Sequence, residues 1–237
     1  MADYALELRG VNSGYGNLPI LWDIDLRVEE SVTMVVLGAN GAGKSTLLKT
    51  IVGILPATSG TIFVAGRPVE HLRVDQRIGL EMSYMSEQGI FPSLTIEENL
   101  QLGCYLVDKS TMAGRIDEVY TYFPELKERR RTIAGSLSGG QRKMVGVAKA
   151  LVSDPRLLIM DEPSSGLSPF FVKELVARLK EIKDQHRTLL VAEQNVSFLE
   201  IADSACVIEG GRIQFTGSVQ EFEADEQLRN AFFGLVE

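Results

Sequence analysis

Apolar and charged residues alternate strictly through Ile24-Asp25-Leu26-Arg27-Val28-Glu29, the period-two pattern of a strand with one buried face. Upstream, Leu6 and Leu8 bracket Glu7 and supply a partner strand ahead of a turn at Gly14-Tyr15-Gly16-Asn17. The pattern then changes. Val32-Thr33-Met34-Val35-Val36-Leu37 is almost continuously apolar and rich in β-branched residues, which suits a strand covered on both faces of a parallel sheet. Leu157–Met160, Thr188–Ala192 and Ala205–Ile208 read the same way, and helical spacing fills Lys44–Leu55, Gly139–Ser153 and Pro169–Lys183. Strands alternating with helices predict a parallel α/β sheet. Residues 93–153 carry helical periodicity without a strong strand, which predicts an inserted helical subdomain. The tail, 218–237, reads as one short amphipathic helix. The expectation is a single domain over 1–237: an α/β core, an N-terminal antiparallel β-subdomain and the helical insert.

Composition narrows the class. The chain has 237 residues, 45% hydrophobic and 24% charged, which excludes disorder and a disulfide scaffold. No apolar run approaches the roughly 18 to 20 residues of a membrane span, and MADYALELRG has no apolar core of a signal peptide. Cys104 and Cys206 sit among apolar neighbours and are expected as buried, reduced thiols of a cytosolic protein. A net charge of -8 argues against nucleic acid as a partner. It leaves room for a phosphate ligand, since a few backbone amides and one lysine suffice to hold one.

Such a site is written at Gly38-Ala39-Asn40-Gly41-Ala42-Gly43-Lys44-Ser45-Thr46, the G-x-x-x-x-G-K-[ST] pattern with a buried strand before it and a helix after. The glycines let successive N–H groups of the loop, Asn40, Gly41 and Gly43 among them, turn toward phosphate oxygens, and the helix beginning at Lys44, Ser45 and Thr46 adds its positive end. Lys44 is placed for the β- and γ-phosphates and the Ser45 hydroxyl for Mg²⁺. The chain is therefore expected to bind a nucleoside triphosphate. The strand Leu157–Met160 ends in Asp161-Glu162-Pro163. Neighbours on a strand face opposite ways, so the two acids serve different roles. Asp161 is assigned to Mg²⁺, and Glu162 to polarising the water that attacks the γ-phosphate.

A second anion-binding helix start lies at Leu137-Ser138-Gly139-Gly140-Gln141, with Ser138 as N-cap and the two glycines leaving the first amides open. One nucleotide has one γ-phosphate. A head-to-tail dimer resolves the surplus, with Ser138 and Gly140 facing the nucleotide held by the other copy's Lys44.

The phosphate loop, LSGGQ at 137–141 and LLIMDEP at 157–163, in this order, resemble the ATP-binding-cassette ATPases over essentially the whole chain. The resemblance implies a P-loop cassette with a RecA-like core, ATP hydrolysis with Mg²⁺, Tyr15 stacked on adenine, and Ser138, Gly139, Gly140 and Gln141 as nucleotide-binding residues. The runs IFPSLTIEENL (90–100), DEPSSGLSP (161–169), VAEQN (191–195) and NAFFG (230–234) are similar to the second ATPase subunit of branched-chain amino-acid importers. That branch implies two membrane permeases, a second cassette as partner, a periplasmic binding protein acting indirectly, and a place on the inner face of the cell membrane. Urea or amide import and lipopolysaccharide extraction are the alternative cargoes, and a soluble non-transport cassette is a further alternative. Three positions depart from the common pattern. Gln194 replaces the usual switch histidine and is read as a γ-phosphate sensor, since its amide donates a hydrogen bond but exchanges no proton near neutral pH. The loop after Glu162 has Ser168 where aspartate is usual. In Tyr84-Met85-Ser86-Glu87-Gln88-Gly89, counting selects Glu87 and residue type selects Gln88 as the contact to Mg²⁺ and water; Gln88 is preferred. The segment Phe91-Pro92-Ser93-Leu94 is expected to form part of a groove for a permease helix.

Overall fold

A computed structural model describes residues 4–183 and 186–233, so the end of the 230–234 motif at Gly234 lies outside the described residues. The strands are β1 (Tyr4–Tyr15), β2 (Leu18–Glu29), β3 (Thr33–Leu37), β4 (Ala57–Val64), β5 (Arg67–Pro68), β6 (Met82–Met85), β7 (Leu157–Asp161), β8 (Thr188–Glu193), β9 (Ser204–Glu209) and β10 (Arg212–Ser218). The helices are α1 (Lys44–Val52), α2 (Val74–Ile78), α3 (Ile96–Gly103), α4 (Met112–Tyr122), α5 (Pro124–Glu128), α6 (Gly139–Leu151), α7 (Pro169–Lys183), α8 (Val219–Ala224) and α9 (Glu226–Phe233).

Two sheets form. One is antiparallel in the order β2-β1-β4-β5, and its β2 buries Ile24, Leu26 and Val28 while exposing the charged residues between them. The other, β10-β9-β3-β8-β7-β6, is parallel from β9 through β6, with β10 antiparallel at its edge. The continuous apolar runs are explained by burial on both sides. Val35, Leu37, Leu158, Met160, Leu189 and Val191 face the core made with α3, α4, α6 and α7. Met34, Val36, Leu157, Ile159, Leu190 and Ala192 face the core shared with α1 and the antiparallel sheet. The chain between β6 and β7 is helical, as its periodicity predicts.

The registers Leu37↔Glu193 and Asp161↔Ala192 bring the carboxyl ends of β3, β8 and β7 to one level. Ligands of open parallel sheets bind at such an edge. Two elements differ from expectation. α1 stops at Val52, because Gly53 turns left-handed (φ 86°) and its N–H closes the helix end. The described part of the tail, to Phe233, makes two helices, broken at Asp225, whose carboxylate accepts from the N–H groups of Gln227 and Leu228 and so starts α9. Cys104 and Cys206 are buried and free, with burial pushing the Cys206 thiol up to about 12.

Candidate active site

The phosphate loop joins β3 to α1. Gly43 caps α1 with φ 110°, a conformation a side chain would strain, and this brings Lys44 back under the loop. Lys44 is 3% exposed, and its Nζ donates to the carbonyls of Gly38 (2.9 Å) and Ala39 (3.1 Å). It also pairs with Glu162 Oε1 at 3.0 Å. The same Oε1 accepts from Gln194 Nε2 at 3.3 Å, and that amide donates to Asn40 Oδ1 at 2.7 Å. Asn40, Lys44, Glu162 and Gln194, from three stretches of sequence, thus form one connected polar cluster. Glu162 itself has φ 46°, in the left-handed region that non-glycine residues seldom adopt. Such strain persists where the surroundings impose it and concentrates at functional sites.

On the other side of Lys44, Ser45 Oγ donates to Asp161 Oδ1 at 2.9 Å. Tyr84 Oη donates to Asp161 Oδ2 at 3.2 Å. Burial raises the Asp161 carboxyl, against the pull of the Ser45 and Tyr84 hydrogen bonds. A hydroxyl and a carboxylate side by side, short of a full protein ligand set, suit Mg²⁺, which takes oxygen ligands, keeps several waters and shares substrate phosphates. The donor set fits the ion. Burial next to Asp161 pushes the Tyr84 phenol upward, so it remains a donor at neutral pH.

Thr46 is buried one position beyond Ser45. Gly41 is at φ 79° in the loop. Tyr15 is 47% exposed where β1 meets the turn into β2, paired across it with Leu18. Ser138 caps α6: its Oγ accepts from Gln141 N–H (3.3 Å), and Gln141 Oε1 accepts from Ser138 N–H (3.2 Å). Gly139 is open above its Cα, whereas Gly140 lies under the Phe171 ring. Gln88 is exposed, while Glu87 Oε1 accepts from Ser165 Oγ at 3.3 Å.

Tyr84, Lys143 and Glu193 were not singled out from sequence as site residues. Lys143 Nζ donates to the carbonyls of Glu87 (2.7 Å) and Glu162 (2.9 Å). Glu193 is 2% exposed, and its oxygens accept from the backbone N–H of Ser164 (2.8 Å) and Gln194 (3.1 Å). Burial raises its pKa while those bonds oppose the rise. Glu193 had a visible signal, an acid ending an apolar strand like Asp161.

An apolar groove of about 400 Å³ opens between α1, α2 and α3, walled by Ile54, Val74, Leu102, Tyr105, Leu106 and Val107. Tyr105 is 83% exposed there. Phe91 is not among its lining residues and instead lies under Lys149 Nζ, 4.9 Å from the ring centre. Among the described residues no helix is long and apolar enough to cross a membrane.

The sequence model of the family described as ABC transporter matches residues 21–165. The probable branched-chain amino acid transport ATP-binding protein LivF of Archaeoglobus fulgidus is 38% identical, with 96% of this chain and 98% of that protein covered. The high-affinity branched-chain amino acid transport ATP-binding protein BraG of Pseudomonas aeruginosa is 35% identical, covering 94% of this chain and 97% of the relative. In fold, a solved ATP-binding cassette of an ABC transporter in its ADP conformation superposes with a TM-score of 0.85 at 23% identity, covering 99% of both chains.

Proposed function

This chain belongs to the ABC transporter family of ATP-binding cassettes, which hydrolyse ATP, and on that premise we propose that it is the nucleotide-binding subunit of an importer of branched-chain or related amino acids. The chemical part of this reading rests on one observation: Glu162 Oε1 is the common partner of Lys44 and Gln194. A carboxylate at the meeting point of the phosphate lysine and the switch amide is where a water attacking the γ-phosphate would be polarised. Lys44 and the loop N–H groups of Asn40, Gly41 and Gly43 hold the phosphates, with Thr46 beside them in the first turn of α1. Gln194 turns its amide from Asn40 to the γ-phosphate, and Tyr15 offers an exposed ring to adenine. Ser45 and Asp161 would hold Mg²⁺, with Gln88 as the loop contact, and the ion would supply positive charge against the charge that develops on the phosphates. Glu162 takes a proton from the water as the bond from water oxygen to phosphorus forms and the bond to the leaving ADP oxygen breaks.

The second half of the site is supplied by another cassette, a second copy or a distinct ATPase, packed head to tail. The capped start of α6 supports this: Ser138 and Gln141 bond each other, Gly140 lies against the Phe171 ring, and Gly139 has open space above it. The groove at Leu102–Val107 is the seat proposed for a permease helix, since exposed apolar patches of this kind mark interaction sites. The protein then works on the cytoplasmic face of the membrane, and a periplasmic solute-binding protein acts through the permeases. The cargo follows the two full-length relatives named for branched-chain amino acids.

Mass spectrometry of proteins co-purifying with the full chain from detergent-solubilised membranes of its own cells tests this assignment. Two permeases and a second cassette are expected, and Tyr105→Asp is expected to lose the permeases while keeping ATP binding. Ribosomal or repair proteins without a permease would overturn the transport role, and a lipopolysaccharide-transport partner would overturn the cargo.

A further inference from the structure

The segment carrying Glu162 is held by one backbone bond and by two charged side chains from elsewhere in the chain. At its far end the N–H of Ser164 donates to Glu193, and at its near end the Glu162 N–H donates to the Ala192 carbonyl at 2.9 Å. Between them the Glu162 carbonyl accepts from Lys143, whose ammonium also holds the Glu87 carbonyl. An ammonium has three N–H donors, and here two of them are directed at backbone carbonyls of separate loops. Lys143 is half-buried, and its bond to the Glu162 carbonyl is partly shielded from water, where charge-assisted hydrogen bonds are strong, while its bond to Glu87 is exposed. The helix does not need this lysine to pack. Met144, Val145, Val147, Ala148 and Leu151 bury its apolar face, and the Ser138–Gln141 capping box fixes its start.

We infer that Lys143 is a positioning residue for hydrolysis: it ties the helix that begins at Ser138 to the backbone of Glu162 and of the loop at 86–89, holding Glu162 in its left-handed conformation. The inference rests on Glu162 being the general base. Among the described residues no other α6 side chain donates to the Glu162 carbonyl, so without the ammonium the residue can relax toward an ordinary backbone conformation that swings its carboxylate off the point shared by Lys44 and Gln194. The link also has a direction. The same α6 carries the motif that faces a partner's nucleotide in the proposed dimer, so a shift of its first turns pulls on the base of its own site.

The experiment is steady-state ATPase kinetics of full-length Lys143→Met, Lys143→Arg and Glu162→Gln, and of Lys143→Met combined with Glu162→Gln, with MgATP as substrate. For Lys143→Met, kcat is expected to fall by about 10- to 100-fold, the scale of a roughly 1 Å misplacement of a reacting group. Its KM for ATP should stay within about twofold, the sign of an interaction that matters after binding. Lys143→Arg, whose guanidinium keeps donors for both carbonyls, should recover a large part of the rate. On the Glu162→Gln background, the lysine change should alter the residual rate by less than about twofold, because the base it positions is gone. Wild-type kcat in Lys143→Met overturns the inference, as does a raised KM with kcat retained, or an equally large loss on top of Glu162→Gln. Near wild-type turnover by Glu162→Gln alone would remove the base assignment itself, a different failure from a normal Lys143→Met beside an inactive Glu162→Gln. Should Lys143→Met not fold, Lys143→Leu, which also lacks any donor, is judged by the same criteria.

Discussion

Two adjacent glycines of the LSGGQ run occupy different surroundings, and substituting them separates folding from assembly. A Cβ built on Gly140 would lie 2.5 Å from Cδ1 and Cγ of Phe171 and 2.7 Å from Cδ2, whereas one on Gly139 meets nothing within 4 Å. Carbon atoms in contact prefer about 3.5–4.0 Å, so the Phe171 ring must retreat by about 1 Å. Phe170 packs edge-on against the same ring at 5.5 Å between centroids, so moving Phe171 disturbs that pair. Overpacking of this kind destabilises by about 1–3 kcal/mol. Alanine in place of helical glycine gains up to about 1 kcal/mol at either position, less near a helix start. The helix gain is common to both variants, so their difference is the overpacking, about 1–3 kcal/mol. At about 2–4 °C per kcal/mol for a domain of this size, Gly140→Ala should melt roughly 2–12 °C below Gly139→Ala. Thermal unfolding without nucleotide, followed by circular dichroism, measures the gap. Equal melting temperatures, or Gly139→Ala melting first, would refute the packing argument. Gly139→Ala should meanwhile lose most ATPase activity while folding as well as the parent, because its methyl group sits where the partner's nucleotide is proposed to dock.

Glu162→Gln should bind ATP as tightly as the parent yet hydrolyse it about 10²- to 10⁴-fold more slowly, as when a general base is removed; turnover near the parent rate, measured by phosphate release beside an equilibrium ATP-binding assay, would take the base role from Glu162. In the 84–89 loop, Gln88→Ala should raise the Mg²⁺ concentration for half-maximal rate by about 10-fold while Glu87→Ala does not; a Mg²⁺ titration giving the reverse order moves the metal contact to Glu87, the residue bonded to Ser165.

What could be read ahead of the structure was chemistry whose parts are contiguous. The phosphate loop, the Asp161-Glu162 strand end and the Ser138 cap each lie within a few residues, and the buried strands announce themselves because both of their faces are covered. Parallel pairing then does what no local pattern can state: it sets Leu37, Asp161 and Glu193 at one edge and makes Asn40, Lys44, Glu162 and Gln194 neighbours. Tyr84 escaped notice because its role depends on β6 lying beside β7, which brings its hydroxyl to Asp161. The apolar groove walled by Leu102, Tyr105, Leu106 and Val107 likewise depends on how α1, α2 and α3 pack, and Phe91, half exposed under Lys149, lies outside its lining.

The cations are the most instructive omissions. Arg77 belongs to no motif of the sequence, yet it is 2% exposed, with Nη1 donating to the carbonyls of Thr50 (2.9 Å) and Ile51 (2.8 Å) at the end of α1. Lys143 does the same for Glu87 and Glu162. In both cases the acceptors are backbone carbonyls, which every residue carries, so no partner type marks the pairing in sequence. A buried acid or a metal site needs particular side chains at particular spacings and can be sought as a pattern. A lysine that holds carbonyls leaves no such pattern, and only the fold distinguishes it from the exposed lysines around it. Cations that hold backbone in place, such as the Lys143 inferred to position Glu162, are therefore harder to read from sequence than the residues proposed to do the chemistry.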